Sequence, residues 1–316
     1  MFRRPTCRWP RARCAPVGEV SHAGSGGEAL QLAHRAQIEP KLDALAQDLG
    51  AHCLSDFSFS NLYLFRAAHN YRFHPGPWPG LSGCTYDAQT HFFPLFNARH
   101  APVAVLDDLL AQFDCLYPLA ACHLPDLHHP AWQLTASRDD ADYLYPAAQF
   151  IAYRGRRLQK KRNLMRQLTS RHRMVSVPLQ GRVVDQALVV LDQWLRHKGK
   201  RAGDADDAPC REALAHRRAF GFEGRLYLAD DQPAGFVLAQ PLQAGAWAVR
   251  FAKGDDQFKG IYQHMFHAFA SELGSRATWF NFEQDMGVAG FRQAKLSYQP
   301  AALLPKYRLR AESPLP

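Results

Sequence analysis

GRLYLADDQPAGFVLAQPLQAGAWAVRFAKGDDQFKGIYQHMFHAFASELGSRATWFNFE, residues Gly224 to Glu283, is the stretch whose reading decides the fold. Its first half holds three runs rich in apolar and aromatic residues, Gly224–Ala229, Gly235–Gln240 and Trp247–Lys253. Turn-forming segments with Asp230, Asp231 and Pro233, then Pro241 and Gly245, separate them, so they read as antiparallel strands joined by short connections. After a loop containing Gly254 and Gly260, Ile261, Tyr262, Met265, Phe266, Phe269 and Leu273 recur at three- and four-residue spacing. That spacing predicts a helix from Gly260 to Leu273 with one buried face. Thr278–Glu283 returns to strand, with Trp279, Asn281 and Glu283 on one side because strand side chains alternate. A short helix near Gly287–Leu296 and a last strand near Leu304–Leu309 follow.

Working back from Gly224, Asp204 to Pro209 reads as an acidic, mobile loop. Val183–His197 is a helix, because Val184, Ala187, Leu188, Leu191, Trp194 and Leu195 fall on one face. Met174–Leu179 is a strand, and two helices are expected before it, over 140–153 and 155–172. The first half carries a helix at 39–50, an aromatic amphipathic run at Phe57–Phe65, and strands around Tyr71–Phe73, Ser82–Tyr86, His91–Phe96 and Trp132–Ala136. A helix from Pro102 to Phe113 places Val103, Leu106, Leu109, Leu110 and Phe113 on one face. The pattern is α+β throughout. A chain of 316 residues with 47% hydrophobic and 21% charged content suits two cored domains. The expected division is 29–150 and 151–316, behind a basic leader at 1–28 that has no apolar segment of the secretory kind. The leader reads as a disordered tail or as the product of a start codon set too early.

Lys+Arg 38 against Asp+Glu 29 leaves a net charge of +9, which favours an anionic partner. Nothing approaches the roughly 18 consecutive apolar residues of a membrane span, so no integral membrane segment is expected. The seven cysteines, at Cys7, Cys14, Cys53, Cys84, Cys115, Cys122 and Cys210, form no Cys-x-x-Cys pair. Their odd number and loose spacing suit free thiols in a reducing cytoplasm. Cys115, Cys122, His123, His128 and His129 lack the paired spacing of a structural zinc site, and no metal is expected.

Three constellations carry chemistry. From Tyr143 to Val184 there is no Asp or Glu, while Lys and Arg number ten. Within it Arg157, Lys160, Lys161, Arg162 and Asn163 lie on a helix whose like charges cost a few tenths of a kcal/mol per pair. A sequence that tolerates this suits a phosphate contact surface; an ordinary solvated face is the plain alternative. Next, the loop from Lys253 to Gln263 offers Gln257, Lys259 and Gly260 as a phosphate-binding turn at a helix N-terminus. Tyr262, however, stands where a small residue would let a pyrophosphate approach. Last, Glu283 and Asp285 end a strand beside Gly287 and Gly290, and Arg292, Lys295 and Tyr298 follow within two helical turns. Such carboxylates, cations and a phenol suit proton removal and oxyanion stabilisation; a salt-bridged surface corner is equally compatible.

The order of strands, glycine loop, helix, strand, helix and strand resembles that of an N-acetyltransferase-like (GNAT) domain. More specifically, SRDDADYLY (Ser137–Tyr145), GRRLQKKRN (Gly155–Asn163), FAKGDDQFKGIYQ (Phe251–Gln263), NFEQDMGVAGFRQAKLSYQP (Asn281–Pro300) and LLPKYRL (Leu303–Leu309) resemble the lysylphosphatidylglycerol synthetase C-terminal-domain family. FSFSNLYLF (Phe57–Phe65) is similar to that family's early motif, so the resemblance spans about residues 35–310. It implies two tandem GNAT-like domains, each a mostly antiparallel sheet flanked by helices, as in Fem-type aminoacyltransferases. It also implies transfer of an aminoacyl group from aminoacyl-tRNA to an amine or hydroxyl acceptor, with Asn281, Asp140 and Tyr143 in the acceptor region. In the membrane-bound members that acceptor is a lipid headgroup. This sequence departs from the family pattern in having Phe282 in place of an Arg and Asp140 in place of the common Asn.

The expectation is therefore an acyl- or aminoacyltransferase with no bound cofactor and aminoacyl-tRNA or acyl-CoA as donor. In it Glu283 or Asp285 acts as base, Arg292, Lys295 or Tyr298 steadies charge, and the cationic helix holds a tRNA or an anionic lipid headgroup. The expected setting is the cytoplasm, at the inner membrane face where lipid is the partner. An acyl-CoA-dependent N-acyltransferase and a non-catalytic RNA- or membrane-binding protein are the two rivals.

Overall fold

The computed structural model describes residues 26–50, 54–125 and 127–312, and the expected leader lies almost wholly outside them. The chain divides into two compact units: a first comprising 26–142 with 304–312, and a second comprising 143–303.

In the first unit β1 (Glu28–Ala29), α1 (Arg35–Gln47), α2 (Phe59–Leu64), α3 (Arg66–His69), β2 (Arg72–His74), β3 (Gly80–Cys84), β4 (Thr90–Pro94), α4 (Val103–Leu110), β5 (Cys115–Leu119) and β6 (Trp132–Ala136) follow in chain order. The second unit contains β7 (Asp142–Pro146), α5 (Ala147–Ala152), α6 (Gln159–Thr169), β8 (Met174–Pro178), α7 (Val183–His197), α8 (Asp207–His216), β9 (Glu223–Ala229), β10 (Gln232–Pro241), β11 (Ala246–Gly254), α9 (Ile261–Leu273), β12 (Trp279–Asn281), α10 (Ala289–Leu296) and β13 (Ala302–Leu304). β14 (Tyr307–Ala311) then returns to the first unit.

The two sheets repeat one plan. The first has the order β1-β2-β3-β4-β5-β14-β6, the second β13-β7-β12-β11-β10-β9-β8. Among the strand pairs whose register is described, each sheet is antiparallel except for one parallel pair, β4 with β5 and β11 with β12. A parallel pair needs a crossover, and α4 and α9 supply it. The architecture is two tandem GNAT-like units. α9 buries Ile261, Met265, Phe266, Phe269 and Leu273 in the second core, together with Tyr143, Tyr145, Phe150, Tyr227 and Phe280. The first core joins Phe92, Leu106, Leu110, Leu116, Leu119 and Leu309.

Several expectations are corrected. The helix expected over 140–153 is a strand, β7, followed by α5. Tyr143, Leu144 and Tyr145 are all fully buried, and Pro146 caps the start of α5, so a continuous apolar run was mistaken for the beginning of the helix it precedes. The Asp204–Pro209 loop runs into α8, where Asp206 and Asp207 favour a helix N-terminus and Pro209 sits in its first turn. β5 was not anticipated because Pro118 argues against an inner strand; a register shift opposite it in β14 accommodates the proline. The division lies at 142/143 rather than 150/151, and the final strand, expected in the second half, pairs with β5 and β6 in the first sheet. Cys115, Cys122 and Cys210 are free, but Cys84, buried at the end of β3, is disulfide-bonded, against the expectation of free thiols.

Buried charge fastens the returning segment. Lys306 is 1% exposed, its Nζ 2.9 Å from Asp142 Oδ1 and paired also with Asp56. The Ser55 N–H donates to the other Asp142 oxygen at 2.7 Å. Burial works against the Lys306 ammonium, but the two carboxylates outweigh it and raise its pKa. Arg308 repeats the device, reaching Asp87 and Asp140 at 2.7 Å each. Lys306→Ala would take the cation from buried Asp142 and partly buried Asp56, and removing one partner of a buried pair costs about 3–5 kcal/mol. We expect a clear fall in the urea midpoint of the first unit; an unchanged midpoint would show that the ion pairs contribute nothing net.

Candidate active site

The end of β12 gathers the third sequence constellation into one hydrogen-bonded knot. Glu283 follows the strand with φ +57°, in the left-handed region that costs a non-glycine residue about 1 kcal/mol or more. Buried Asn281 helps hold it there, its Oδ1 accepting the Glu283 N–H at 2.7 Å. The Tyr143 N–H in β7 donates to the Glu283 carbonyl at 3.3 Å. The Asp285 side chain has no solvent exposure. Its Oδ2 accepts the Tyr143 hydroxyl at 2.5 Å and Arg292 Nε at 2.9 Å. Its Oδ1 accepts Arg292 Nη2 and the Gly287 N–H, both at 2.9 Å. Burial alone would raise the Asp285 pKa, but the Arg292, Tyr143 and Gly287 hydrogen bonds hold it well below the usual carboxylate range. This carboxylate is a fixed anion with both oxygens occupied, unsuited to taking a proton near neutral pH.

Glu283 is different. Its side chain keeps 22% of its exposure, while the Arg250 guanidinium paired with it is completely buried. Arg250 is held in turn by Gln240 Oε1, at 3.0 and 3.3 Å. Sequence reasoning missed Arg250 and Gln240. Arg250 is the residue left unpaired at a register shift in the β10–β11 ladder, and the two cations in the otherwise apolar run Trp247–Lys253 were the available signal. Lys295 Nζ donates to the Glu283 carbonyl at 3.0 Å and also to the Gln284 carbonyl, so it caps the strand end.

The cationic helix is tied to this knot through the segment after α10. Lys161 Nζ donates to Ser297 Oγ at 2.6 Å and stands 3.8 Å from the Tyr298 ring centroid. Arg157 reaches Gln299 Oε1 at 3.5 Å, and Arg162 donates to the Tyr153 carbonyl at 2.6 Å. Burial, with a smaller contribution from Lys160, lowers the Lys161 pKa to about 8. Tyr298 itself is a core residue whose hydroxyl accepts Gln263 Nε2 at 2.8 Å. Arg154, Arg156, Arg157, Lys160 and Asn163 face solvent, and among the described residues none of these four cations pairs with a carboxylate. Of the acceptor-region residues, Asn281 and Tyr143 join the knot, whereas Asp140 lies in the first unit on Arg308.

The glycine turn before α9 is already filled. Gly260 has φ +105°, and a Cβ there would collide with the Leu164 carbonyl of α6. Gln257 is committed to Asp255, its N–H on Oδ1 at 2.9 Å and its Nε2 on Oδ2 at 2.7 Å. Asp255 is wholly buried and also meets His197 at 3.1 Å. The Phe258 and Ile261 N–H groups are spent on the carbonyls of Asp255 and Phe258, and the Tyr262 hydroxyl accepts the Gly254 N–H at 3.2 Å. Gln257 and Lys259 are exposed and Gly260 is buried. A buried carboxylate amid spent donors opposes a pyrophosphate.

A family model described as phosphatidylglycerol lysyltransferase, C-terminal, matches residues 49–310. Comparison with curated proteins finds no match. Among solved structures, a conserved protein of unknown function from Bacteroides thetaiotaomicron VPI-5482 is similar with a TM-score of 0.75 at 22% identity, over 90% of this chain and 99% of that one. The L-PGS structure from Bacillus licheniformis gives 0.57 at 13% identity, over 93% and 95%. FemX gives 0.57 at 10%, over 86% and 96%. These likenesses give the fold.

The depressed Asp285 pKa carries a sign. Its contribution to stability is complete above the unfolded carboxyl value of about 3.9 and is lost as pH falls toward the lower folded value. Asp285→Asn should therefore cost about 3 kcal/mol at neutral pH. The gap from the unsubstituted protein should close as denaturation is repeated at successively lower pH below 4. A gap independent of pH would contradict the assignment.

Proposed function

This chain belongs to the phosphatidylglycerol lysyltransferase C-terminal family, and we propose that it moves an aminoacyl group from aminoacyl-tRNA to an amine or hydroxyl acceptor. The observation that carries this reading is the join between the two features it needs. Helix α6 and the cationic segment just before it are bonded through Lys161 and Arg157 to Ser297 and Gln299, just past the helix whose Arg292 secures the carboxylate knot. Donor phosphates would lie along Arg154, Arg156, Arg157 and Lys160, where exposed cations without a carboxylate partner among the described residues are open to a new anion.

Glu283 takes the chemical role because it is the carboxylate with remaining exposure, and Arg250 fixes where it points. The acceptor amine or hydroxyl attacks the ester carbonyl of the donor. Glu283 removes the attacking group's proton, the ester C–O bond breaks, and the ribose oxygen leaves with a proton. Asp285 works at a distance by keeping the left-handed turn closed. Acyl-CoA as donor is disfavoured by Asp255 and Leu164 filling the turn that would cradle its pyrophosphate.

Two measurements test this. With charged tRNA as donor, Glu283→Gln should cut transfer at least 100-fold while leaving the circular dichroism and melting of the protein intact, in line with loss of a general base. Undiminished turnover would remove Glu283 from the reaction. Separately, tRNA affinity should fall as pH rises through about 8, where Lys161 loses its charge. Lys161→Gln should abolish that step, and Lys160→Ala should reduce the salt slope of binding by about one. A pH profile unaltered by Lys161→Gln would place the tRNA elsewhere.

A further inference from the structure

The first unit contains a half-open polar hollow that the transfer reaction does not use. It has a volume of about 520 Å³ and is lined by Gln89, Asp114, Gln133, Arg310, Ala311 and Glu312. That size lies within the range of small-molecule sites. Four neighbouring strands and their entry turns build it: the turn before β4, the start of β5, β14 and β6.

The charges within it are unbalanced in a particular way. Gln89 Oε1 accepts from two guanidiniums, Arg308 at 2.9 Å and Arg310 at 2.6 Å. Arg308 is neutralised by Asp87 and Asp140. Arg310 is not: among the described residues its side chain meets only the neutral Gln89 amide, and its buried Nε has no partner. A guanidinium partly withdrawn from water without a counter-anion is costly, and a ligand carboxylate would relieve it. Gln133 lies directly opposite Arg310 in the β14–β6 register, adding an amide on the same face. Two carboxylates also line the hollow. Asp114 uses one oxygen, Oδ2, on the Thr90 N–H at 2.7 Å and the Thr90 hydroxyl at 2.8 Å. Glu312 makes no side-chain bond among the described residues.

We propose that this hollow binds a small zwitterion, a free α-amino acid, with its carboxylate on Arg310 and Gln133 and its ammonium between Asp114 and Glu312. A phosphorylated ligand is disfavoured, because two carboxylates against one guanidinium leave the lining net negative. The proposal is independent of the transfer reaction, since every residue it uses belongs to the first unit.

Calorimetric titration of the full chain with L-serine, L-lysine and L-glutamate, and with acetate and methylamine as half-ligands, tests it. At least one amino acid should bind saturably, and at least tenfold more tightly than either half-ligand. Arg310→Gln, which keeps an amide able to meet Gln89, should weaken that binding tenfold or more. Glu312→Gln, at an exposed side chain, should weaken it at least threefold. Glu283→Gln should leave it unchanged, which separates this site from the transfer site. Circular dichroism of each variant confirms the fold. Binding insensitive to Arg310→Gln, acetate binding as tightly as the amino acid, or no binding at millimolar concentration would each overturn the proposal. The last result would mean that Arg310 and Glu312 satisfy one another in solution.

Discussion

A carboxylate taken wholly out of water must be matched by donors from every side, and Asp285 meets that demand with groups drawn from three separated places in the chain. Tyr143 comes from β7, Gly287 from the turn, and Arg292 from α10. Each bond therefore fixes an element as well as a charge. The Tyr143 link draws β7 against the end of β12, and its own N–H then holds Glu283 in a backbone conformation that glutamate does not choose unaided. The Arg292 link sets α10, whose exit at Ser297 to Gln299 meets the cationic helix. The exposed carboxylate and the cation-bearing surface owe their positions to a residue that touches neither solvent nor, on this reading, substrate.

The cationic helix shows how stability is exchanged for surface charge. Arg154, Arg156 and Arg157 precede α6 and Lys160 lies in its first turn, and like charges held this close repel one another. The offset is in packing and in specific anchors. Leu158 and Leu168 enter the core, Arg162 bonds the Tyr153 carbonyl, and Gly260 lets the Leu164 backbone approach closely enough to seal the start of α9. That close approach consumes the site at which a coenzyme pyrophosphate would sit. A glycine that reads in sequence as a phosphate-binding turn serves here as a seat for a helix. The same residue type meets both needs for one physical reason: neither leaves space for a Cβ.

What the sequence made legible follows from how local each signal is. α7 was readable to its end residues, because Val183–His197 carries its own period and buries Ala187, Val190, Leu191 and Leu195. β9 to β11 and α9 were readable for the same reason. The failures are non-local. Nothing near Tyr307 indicates that β14 belongs between β5 and β6; that is decided by Leu309 entering the first core and by Lys306 and Arg308 finding aspartates more than 150 residues upstream. Arg250 was invisible because a partner for a strand cation can come from any neighbouring strand or loop. Its carboxylate is 33 residues away.

The candidate site was legible as a set of residues and not as a set of roles. Glu283, Asp285, Arg292, Lys295 and Tyr298 were named together, but spacing alone gives each carboxylate the same claim to act as base. Burial and hydrogen-bond count separate them. Asp285 has no exposure and four donors, so its charge is committed to structure, whereas Glu283 retains a path to solvent and one oxygen is fixed by a buried guanidinium. Lys295 and Tyr298 divide in the same manner, one satisfying two backbone carbonyls and the other entering the core with its hydroxyl on Gln263. Lys161 was read only as one charge among many. Its burial, with a smaller contribution from Lys160, lowers its pKa to about 8, and no spacing in the sequence marks which cation of the run is the buried one.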